Sequence, residues 1–327
     1  MMDYQALGRK ASLVQDGRRI EEDLTVIFDA DFACYEVADL EISAEKNLVN
    51  LLDYLEHKRK LIGAGKLLAC LTLGGKSGRE QIATVRPYQF NRDPDMPIKV
   101  RVRELRILLR GVLDHETITP VGNDYMEADD IMCTAQNNAI AQGIKTIIVS
   151  GDKDLWMVEG EHACPKTGAR WTVDGYGSIG YEEVGNVKPK LKGYGTAWFW
   201  CQMIQGDTAD NIPGLETISN KLWDKYAPLK TGKARKVGSM PCGEAKAFAI
   251  IKDCTSDLEA AKAVIDAYQY TYGILWVTRF MEQGYLLWMR RTTNAFDFEH
   301  YLEEIGVNIK FTHEQRAIIT KWEKEHA

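Results

Sequence analysis

The chain has 327 residues, 45% of them hydrophobic and 27% charged, with a formal net charge of −6. That length supports one large or two modest domains. No apolar run approaches the roughly 18 residues that argue for a membrane helix, and the acidic balance argues against indiscriminate coating of nucleic acid. Seven cysteines (Cys34, Cys70, Cys133, Cys164, Cys201, Cys242 and Cys254) form no C-x-x-C pair and no zinc spacing with histidine. They read as reduced thiols that behave as small hydrophobes.

Residues 1–20 are expected to be a polar extension, because Lys10, Arg18 and Arg19 lie there without the apolar core of a secretory signal. A cytoplasmic location follows as an expectation. Leu24–Phe28 is a short apolar run ending at Asp29, which predicts the first strand of a buried sheet. Glu45 to Leu61 has helical spacing at Leu48, Leu51, Leu52 and Leu55, and Lys66–Leu73 reads as the next strand. Strand, helix, strand implies a parallel sheet.

Glycines and prolines from Gly74 to Pro97 mark a loop-rich excursion, and a helix with an Arg-rich polar face is predicted over Ile98–Leu113. From Cys70 to Arg110 nine basic residues (Lys76, Arg79, Arg86, Arg92, Lys99, Arg101, Arg103, Arg106, Arg110) face Glu80, Asp93, Asp95 and Glu104. Met126–Gln142 predicts a helix with Asp124 as N-cap, and Thr146–Ser150 a further strand. A less regular stretch, Gly151 to Gly195, holds short strands at Arg170–Val173 and Gly177–Tyr181. A helix-rich region runs from Thr196 to Thr278, with a strand signal at Tyr285–Met289. A second basic patch, Lys230, Lys233, Arg235, Lys236, Lys246 and Lys252, has only Glu244 against it.

Acidic residues recur beside the apolar runs: Asp29; Glu127, Asp129 and Asp130; Asp152 and Asp154; Asp207 and Asp210. Each cluster has an ordinary explanation. Asp29 and Asp31 project to one side of an extended chain, and Asp29, the favoured ligand of the two, also suits a turn or helix cap. Glu127 and Asp130 share a helix face with Asp129 beside it, and acid in a first turn complements the helix dipole. Asp207 and Asp210 sit one helical turn apart before a Pro-Gly turn and a helix over Ser219–Tyr226, which an ordinary capped turn would also produce. Asp152 and Asp154 after Ile147–Val149 and Gly151 carry the most specific signal, since alternate carboxylates past a buried strand have little structural use. Carboxylates at strand ends, where open α/β sheets place their sites, repel one another unless cations intervene. Without histidine or cysteine, such a set favours Mg²⁺ or Mn²⁺ and two-metal phosphodiester chemistry.

Taken in order, the strings E-A-D-D, S-G-D-K-D and G-D-x-x-D-N-I-P-G resemble the 5′-nuclease family, which includes flap endonucleases, 5′-nuclease domains of bacterial DNA polymerases and phage 5′-to-3′ exonucleases. W-M-R-R and K-T-G-K-A-R-K look like the exonucleases of short-tailed phages, for which the location would be the host cytoplasm. The resemblance implies an α/β fold, a PIN-like parallel sheet flanked by helices, with a C-terminal helical, helix-hairpin-helix-like DNA-binding region. It places a metal-dependent nuclease domain at 21–195 with a basic arch near 76–110, and a duplex-binding region at 196–327. It also implies 5′-to-3′ exonuclease activity with flap endonuclease and RNase H-like activity, two Mg²⁺ or Mn²⁺ ions, and substrates with a 5′ end, flap or nick, RNA–DNA hybrid included.

Family ligands map onto Asp29, Glu127, Asp129, Asp130, Asp152, Asp154, Asp207 and Asp210, with Glu127, Asp129 and Asp152 mainly on the first metal and Asp154, Asp207 and Asp210 nearer the second. R-P-Y-Q-F-N-R resembles the arch motif. There Tyr88 would contact the scissile strand, and Arg86 or Arg92 would supply a transition-state cation where Gln89 replaces the family lysine. Expected DNA contacts are Lys76, Arg79, Arg86, Tyr88, Arg92, Arg103, Lys221, Lys233, Arg235 and Lys236. Two departures stand out: Gly75 lies where the family carries an aspartate, and Leu215–Ser219 puts Thr217 and Ser219 where the family hairpin has glycines, which puts a K⁺ site there in doubt. They motivate an alternative, a catalytically impaired homologue that binds branched DNA. A third reading, a phosphatase on an unrelated α/β fold, gives no reason for the basic arch.

Overall fold

The computed structural model describes residues 19–93, 96–182 and 189–326, so the polar extension at 1–20 lies, but for its last two residues, outside the described part. The described residues fall into two compact units, each discontinuous in sequence. One takes residues up to 77, 93–173 and 289–293; the other takes 78–92, 174–288 and 294 onward.

The first unit is a sheet with helices. Its strands are β1 (Glu21–Asp29), β2 (Ala64–Thr72), β3 (Ile118–Asn123), β4 (Thr146–Val149), β5 (Gly160–Ala163) and β6 (Arg170–Val173), in the spatial order β3-β2-β1-β4-β5-β6. The β1–β2, β1–β4, β2–β3 and β4–β5 pairs are parallel; β6 alone runs antiparallel, against β5. The α/β expectation is met. Its helices are α1 (Ala30–Val37), α2 (Ala44–Ile62), α3 (Pro97–Arg110) and α4 (Ala128–Gln142). Val26 and Phe28 of β1, Leu67, Ala69 and Leu71 of β2, and Val149 of β4 pack with Leu51 and Leu55 of α2 and Leu105 and Leu109 of α3. Each fully buried leucine or phenylalanine contributes about 1.5–3 kcal/mol, so this cluster is what holds the strand ends in register.

Local signals explain the element ends. Ser43 caps α2 by accepting from Lys46 N, and Gly63 closes it with a left-handed φ of 79°. The N-cap of α4 is Glu127, where Asp124 was expected. Asn123 takes the turn-forming role instead: its Oδ1 accepts from Tyr125 N (2.9 Å) and Met126 N (2.7 Å).

The second unit is mainly helical: α5 (Thr196–Gln205), α6 (Asn220–Tyr226), α7 (Glu244–Ile251), α8 (Asp257–Tyr272), α9 (Trp276–Leu287), α10 (Asp297–Glu304) and α11 (His313–His326), with two-stranded sheets β7 (Ser178–Glu182) with β8 (Lys190–Tyr194) and β9 (Thr217–Ser219) with β10 (Ser239–Pro241). Helix α5 is buried from Thr196 to Ile204 and apolar there except for Thr196 and Gln202, as suits a central helix. Trp200 Nε1 on it donates to Asp257 Oδ1 (2.8 Å), and its Met203 carbonyl accepts from Tyr268 (2.7 Å). The strand expected at Tyr285–Met289 is instead the end of α9, whose residues 280–287 are all buried. A short buried apolar run has no periodicity that separates strand from helix. All seven cysteines are free thiols, and Cys34, Cys70, Cys133 and Cys201 are buried. Among the described residues no helix is long and apolar enough to cross a membrane.

Candidate metal centre

In-register parallel pairing brings the carboxyl ends of three strands of the first unit level: Phe28 lies opposite Val149 and Asp29 opposite Cys70. Past those ends the chain must turn, and its turn residues carry the acids. Asp29 ends β1 and also caps α1, its Oδ1 accepting from Phe32 N (3.0 Å), so the ordinary cap role holds together with the strand-end placement. After β4, Asp152 N donates to Ser150 Oγ (3.0 Å) and Asp154 N to Asp152 Oδ1 (2.9 Å), a self-bonded turn that leaves Asp152 exposed. Gly151 is not forced here by crowding, since an added Cβ would meet only Pro165 at 3.9 Å.

Asp29, Asp129 and Asp152 act on one another electrostatically. Desolvation, then Asp31 and Asp152, push Asp29 up to about 7 against the Phe32 amide and Arg106. Asp129 is raised well above the usual carboxylate range by desolvation, Asp152, Asp29, Glu127 and Asp130. Like charges held this way disfavour ionisation unless a cation joins them. Among the described residues no three His, Cys, Asp or Glu side chains are drawn up around a single point. The donor chemistry suits a hard divalent ion; the side chains would have to close on it.

Sequence reasoning passed over several residues here. Asp31, set aside in favour of Asp29, is on the first turn of α1, its Oδ1 accepting from Thr72 N (3.1 Å) and pairing with Arg106 Nε (2.8 Å). Thr72 Oγ1 accepts from Ala128 N (2.8 Å) and Ser77 Oγ from Glu127 N (3.1 Å), so two hydroxyls orient the start of α4. Asp130 is fully buried, with Ser77 Oγ on Oδ2 and Arg290 N on Oδ1 (2.9 Å). Protein donors therefore engage both oxygens of this expected ligand. Gly75 has no space for a side chain: its Cβ would lie 2.3 Å from Asp124 O and 2.7 Å from Tyr125 O.

Asp207 and Asp210 lie in the second unit, not on a helix but in a tight loop after α5. Asp207 and Ile212 exchange backbone hydrogen bonds (2.9 and 2.7 Å), and Asp207 Oδ1 accepts from Ala209 N (2.7 Å). Gly206 and Gly214, at φ 75° and 60°, close the loop neck so tightly that a Cβ on either would sit 2.3 Å from backbone. That explains the glycines bracketing the G-D-x-x-D-N-I-P-G string. Segment 86–92 docks on this loop. Tyr88, buried, donates to Asp210 Oδ2 (3.2 Å), Gln89 N to Asp210 O (2.9 Å), Asn91 Nδ2 to Thr208 O (3.1 Å) and Asn211 Nδ2 to Pro87 O (2.8 Å), while Arg92 pairs with Asp210 Oδ1. Arg86 pairs with Glu216.

Two expected DNA contacts have structural roles. Arg79 is buried and donates to Leu286 O (3.1 Å) and Trp288 O (2.8 Å), and Arg235 is held by Asp224 and Ala227 O (2.7 Å). Arg103, Lys221, Lys233 and Lys236 are exposed, and Lys76 is half-buried. Thr217 and Ser219 lie in β9 opposite β10, and Ser219 Oγ caps α6 by accepting from Leu222 N (3.2 Å).

No family model matches the chain. It is 28% identical over 138 residues to DNA polymerase I of Bacillus subtilis and 27% identical over 224 residues to that of Streptococcus pneumoniae, 42% and 66% of this chain. It spans only 15% and 23% of those polymerases. A solved structure of the T5 5′-exonuclease with divalent zinc bound covers 92% of this chain and 97% of its own, at TM-score 0.50 and 13% identity. The resemblance to the 5′-nucleases holds. It holds in sequence toward the polymerases and in fold toward the phage exonuclease, including the mostly parallel sheet flanked by helices and the C-terminal helical region.

Proposed function

We propose that this chain is a divalent-metal-dependent 5′-to-3′ exonuclease with flap endonuclease activity, acting on DNA that carries a 5′ end, flap or nick. The observation that carries the reading is the mutual repulsion of three carboxylates in a 5′-nuclease-like fold, Asp29 at the end of β1, Asp152 past the end of β4 and Asp129 in the first turn of α4. Asp29, Glu127, Asp129 and Asp152 are the residues to hold Mg²⁺ or Mn²⁺, and Asp154, Asp207 and Asp210 are assigned to a second ion on the resemblance alone. When bound, such ions supply an activated water and charge stabilisation at the leaving 3′ oxygen. The chain's own residues orient and grip. Ser77 and Thr72 fix the backbone that presents Glu127 and Asp129, and Arg86 or Arg92 is the proposed transition-state cation, which would have to leave its pairing with Glu216 or Asp210 to act. Lys76, Arg103, Lys221, Lys233 and Lys236 are the proposed contacts to the polyanion's backbone, which would make binding salt-dependent.

RNA–DNA hybrids are proposed as further substrates and the host cytoplasm as the place of action; a K⁺ site at the hairpin is not supported by a strand carrying Thr217 and Ser219. Gly75, with no room for a carboxylate, favours a second reading, an impaired homologue that binds branched DNA without cutting it. Asp152→Ala separates the two. Under the first reading it lowers cleavage of a 5′-labelled duplex at least about a thousandfold while gel-shift affinity stays within a few-fold; under the second, wild type itself cuts nothing across a Mg²⁺ and Mn²⁺ titration.

A further inference from the structure

We infer that residues 289–293 are a positioning strap for the start of α4, fastened by Arg290 and the Asp130 carboxylate. The inference rests on the metal reading of Glu127 and Asp129. One face of α4 presents Asp130, Cys133, Thr134 and Asn137, spaced i, i+3, i+4, i+7, so they share a helix side. Each holds the strap's backbone: Asp130 Oδ1 accepts from Arg290 N (2.9 Å), and Cys133 Sγ donates to Met289 O (3.6 Å), Thr134 Oγ1 to Arg290 O (3.1 Å) and Asn137 Nδ2 to Arg291 O (3.3 Å).

The strap then grips the turn before the helix. Arg290, 4% exposed, donates to Ser77 O and to Tyr125 Oη (3.3 Å), with its guanidinium 5.5 Å from the Tyr125 ring centre. Tyr125 Oη donates in turn to Thr293 O (3.3 Å). Ser77 closes the circuit. Its Oγ donates to Asp130 and accepts from Glu127 N, and its own N donates to Tyr125 O (3.2 Å). Asp130 and Arg290, 160 residues apart in sequence, thus brace the turn that carries Glu127 and Asp129 through groups already engaged with one another. Partners that orient ligands this way tune metal affinity by about 10–100-fold.

The test is Mn²⁺ affinity by calorimetry on the full chain for wild type, Arg290→Ala, Arg290→Lys and Val102→Ala, the last a buried α3 residue that lowers stability without touching the strap. Arg290→Ala should weaken Mn²⁺ at least tenfold with native far-UV circular dichroism. Arg290→Lys, which keeps the charge but loses the planar fork, should fall between, and Val102→Ala should bind within twofold of wild type. If Arg290→Ala does not fold, Arg290→Lys decides, with a threefold loss expected. Affinities of both Arg290 variants within twofold of wild type overturn the strap as a positioning device. A wild type that binds no Mn²⁺ overturns the metal reading and the strap's role with it.

Discussion

At Gly75 the backbone of Asp124 and Tyr125 leaves no place for a Cβ. The absent carboxylate is thus a packing requirement of this chain and not a gap awaiting repair. Gly75→Ala should cost about 1–3 kcal/mol in urea unfolding, and unchanged stability would contradict the close approach. Asp29, pushed up to about 7, keeps its proton in the folded state while the unfolded chain loses it near 3.8. The folded state therefore binds more protons between those values, and this group's contribution to stability falls as pH rises through them. Saturating Mg²⁺ should remove that fall, because the ion replaces the proton, and metal affinity should climb with pH up to about 7. His162 works in the opposite sense. Burial holds it down to about 4 from 6.5, against the hydrogen bond its Nε2–H donates to Val158 O (2.8 Å). The unfolded state binds the extra proton in that window, so up to about 3 kcal/mol is lost as pH falls from 6.5 to 4. Melts with Mg²⁺ present should show a loss between pH 6.5 and 4 that His162→Gln flattens, while the loss below pH 4.5 from Glu56, held down to about 2 by Arg59, persists; an unchanged limb between 6.5 and 4 in that variant would contradict the assignment.

Among the elements, the segment 86–92 and the loop 207–212 behave as one piece. Asp210 takes Tyr88, Arg92 and the Gln89 amide, so releasing it should loosen the whole segment. Arg92 is half-exposed, so the ion pair itself should contribute only about 0.2–1 kcal/mol in an Arg92→Ala, Asp210→Asn double-mutant cycle. Trypsin cleavage after Arg92 should quicken several-fold in Asp210→Asn, while the Arg86–Pro87 bond resists trypsin in both proteins; equal rates at Arg92 would show the segment held by other means. This docking was not legible in the sequence, where Tyr88 and Asp210 stood out as separate motifs 122 residues apart. What was legible were elements with strong local pattern: β1, α2, β2, α3, β4 and α6 lie within a few residues of their expected positions. Weak ones escaped. β5, with His162 among only four residues, and β3, broken by Pro120 and Gly122, have too little apolar alternation to announce a strand.

In the whole molecule, Asp29 and the pair Asp152 and Asp154 mark the carboxyl ends of parallel strands because such residues belong to turns, and that much follows from local chemistry. That residues 289–293 belong with the first unit does not. The strap meets α4 through its own backbone N–H and C=O groups, which leave no trace in residue types, and the polar side chains Asp130, Cys133, Thr134 and Asn137 do not say in sequence what they will bond. Asp130 likewise looked like a ligand because its charge is visible in sequence and its burial is not. The central claim, that carboxylates at the ends of β1 and β4 and the start of α4 form a metal centre that cuts DNA from its 5′ end, is tested most directly by a nucleotide-resolution time course on 5′-labelled duplex with Mg²⁺ and with EDTA. The account predicts short labelled products from the first time points with Mg²⁺ and none with EDTA. Equal cleavage in EDTA, or products that shorten from the 3′ end, would contradict it.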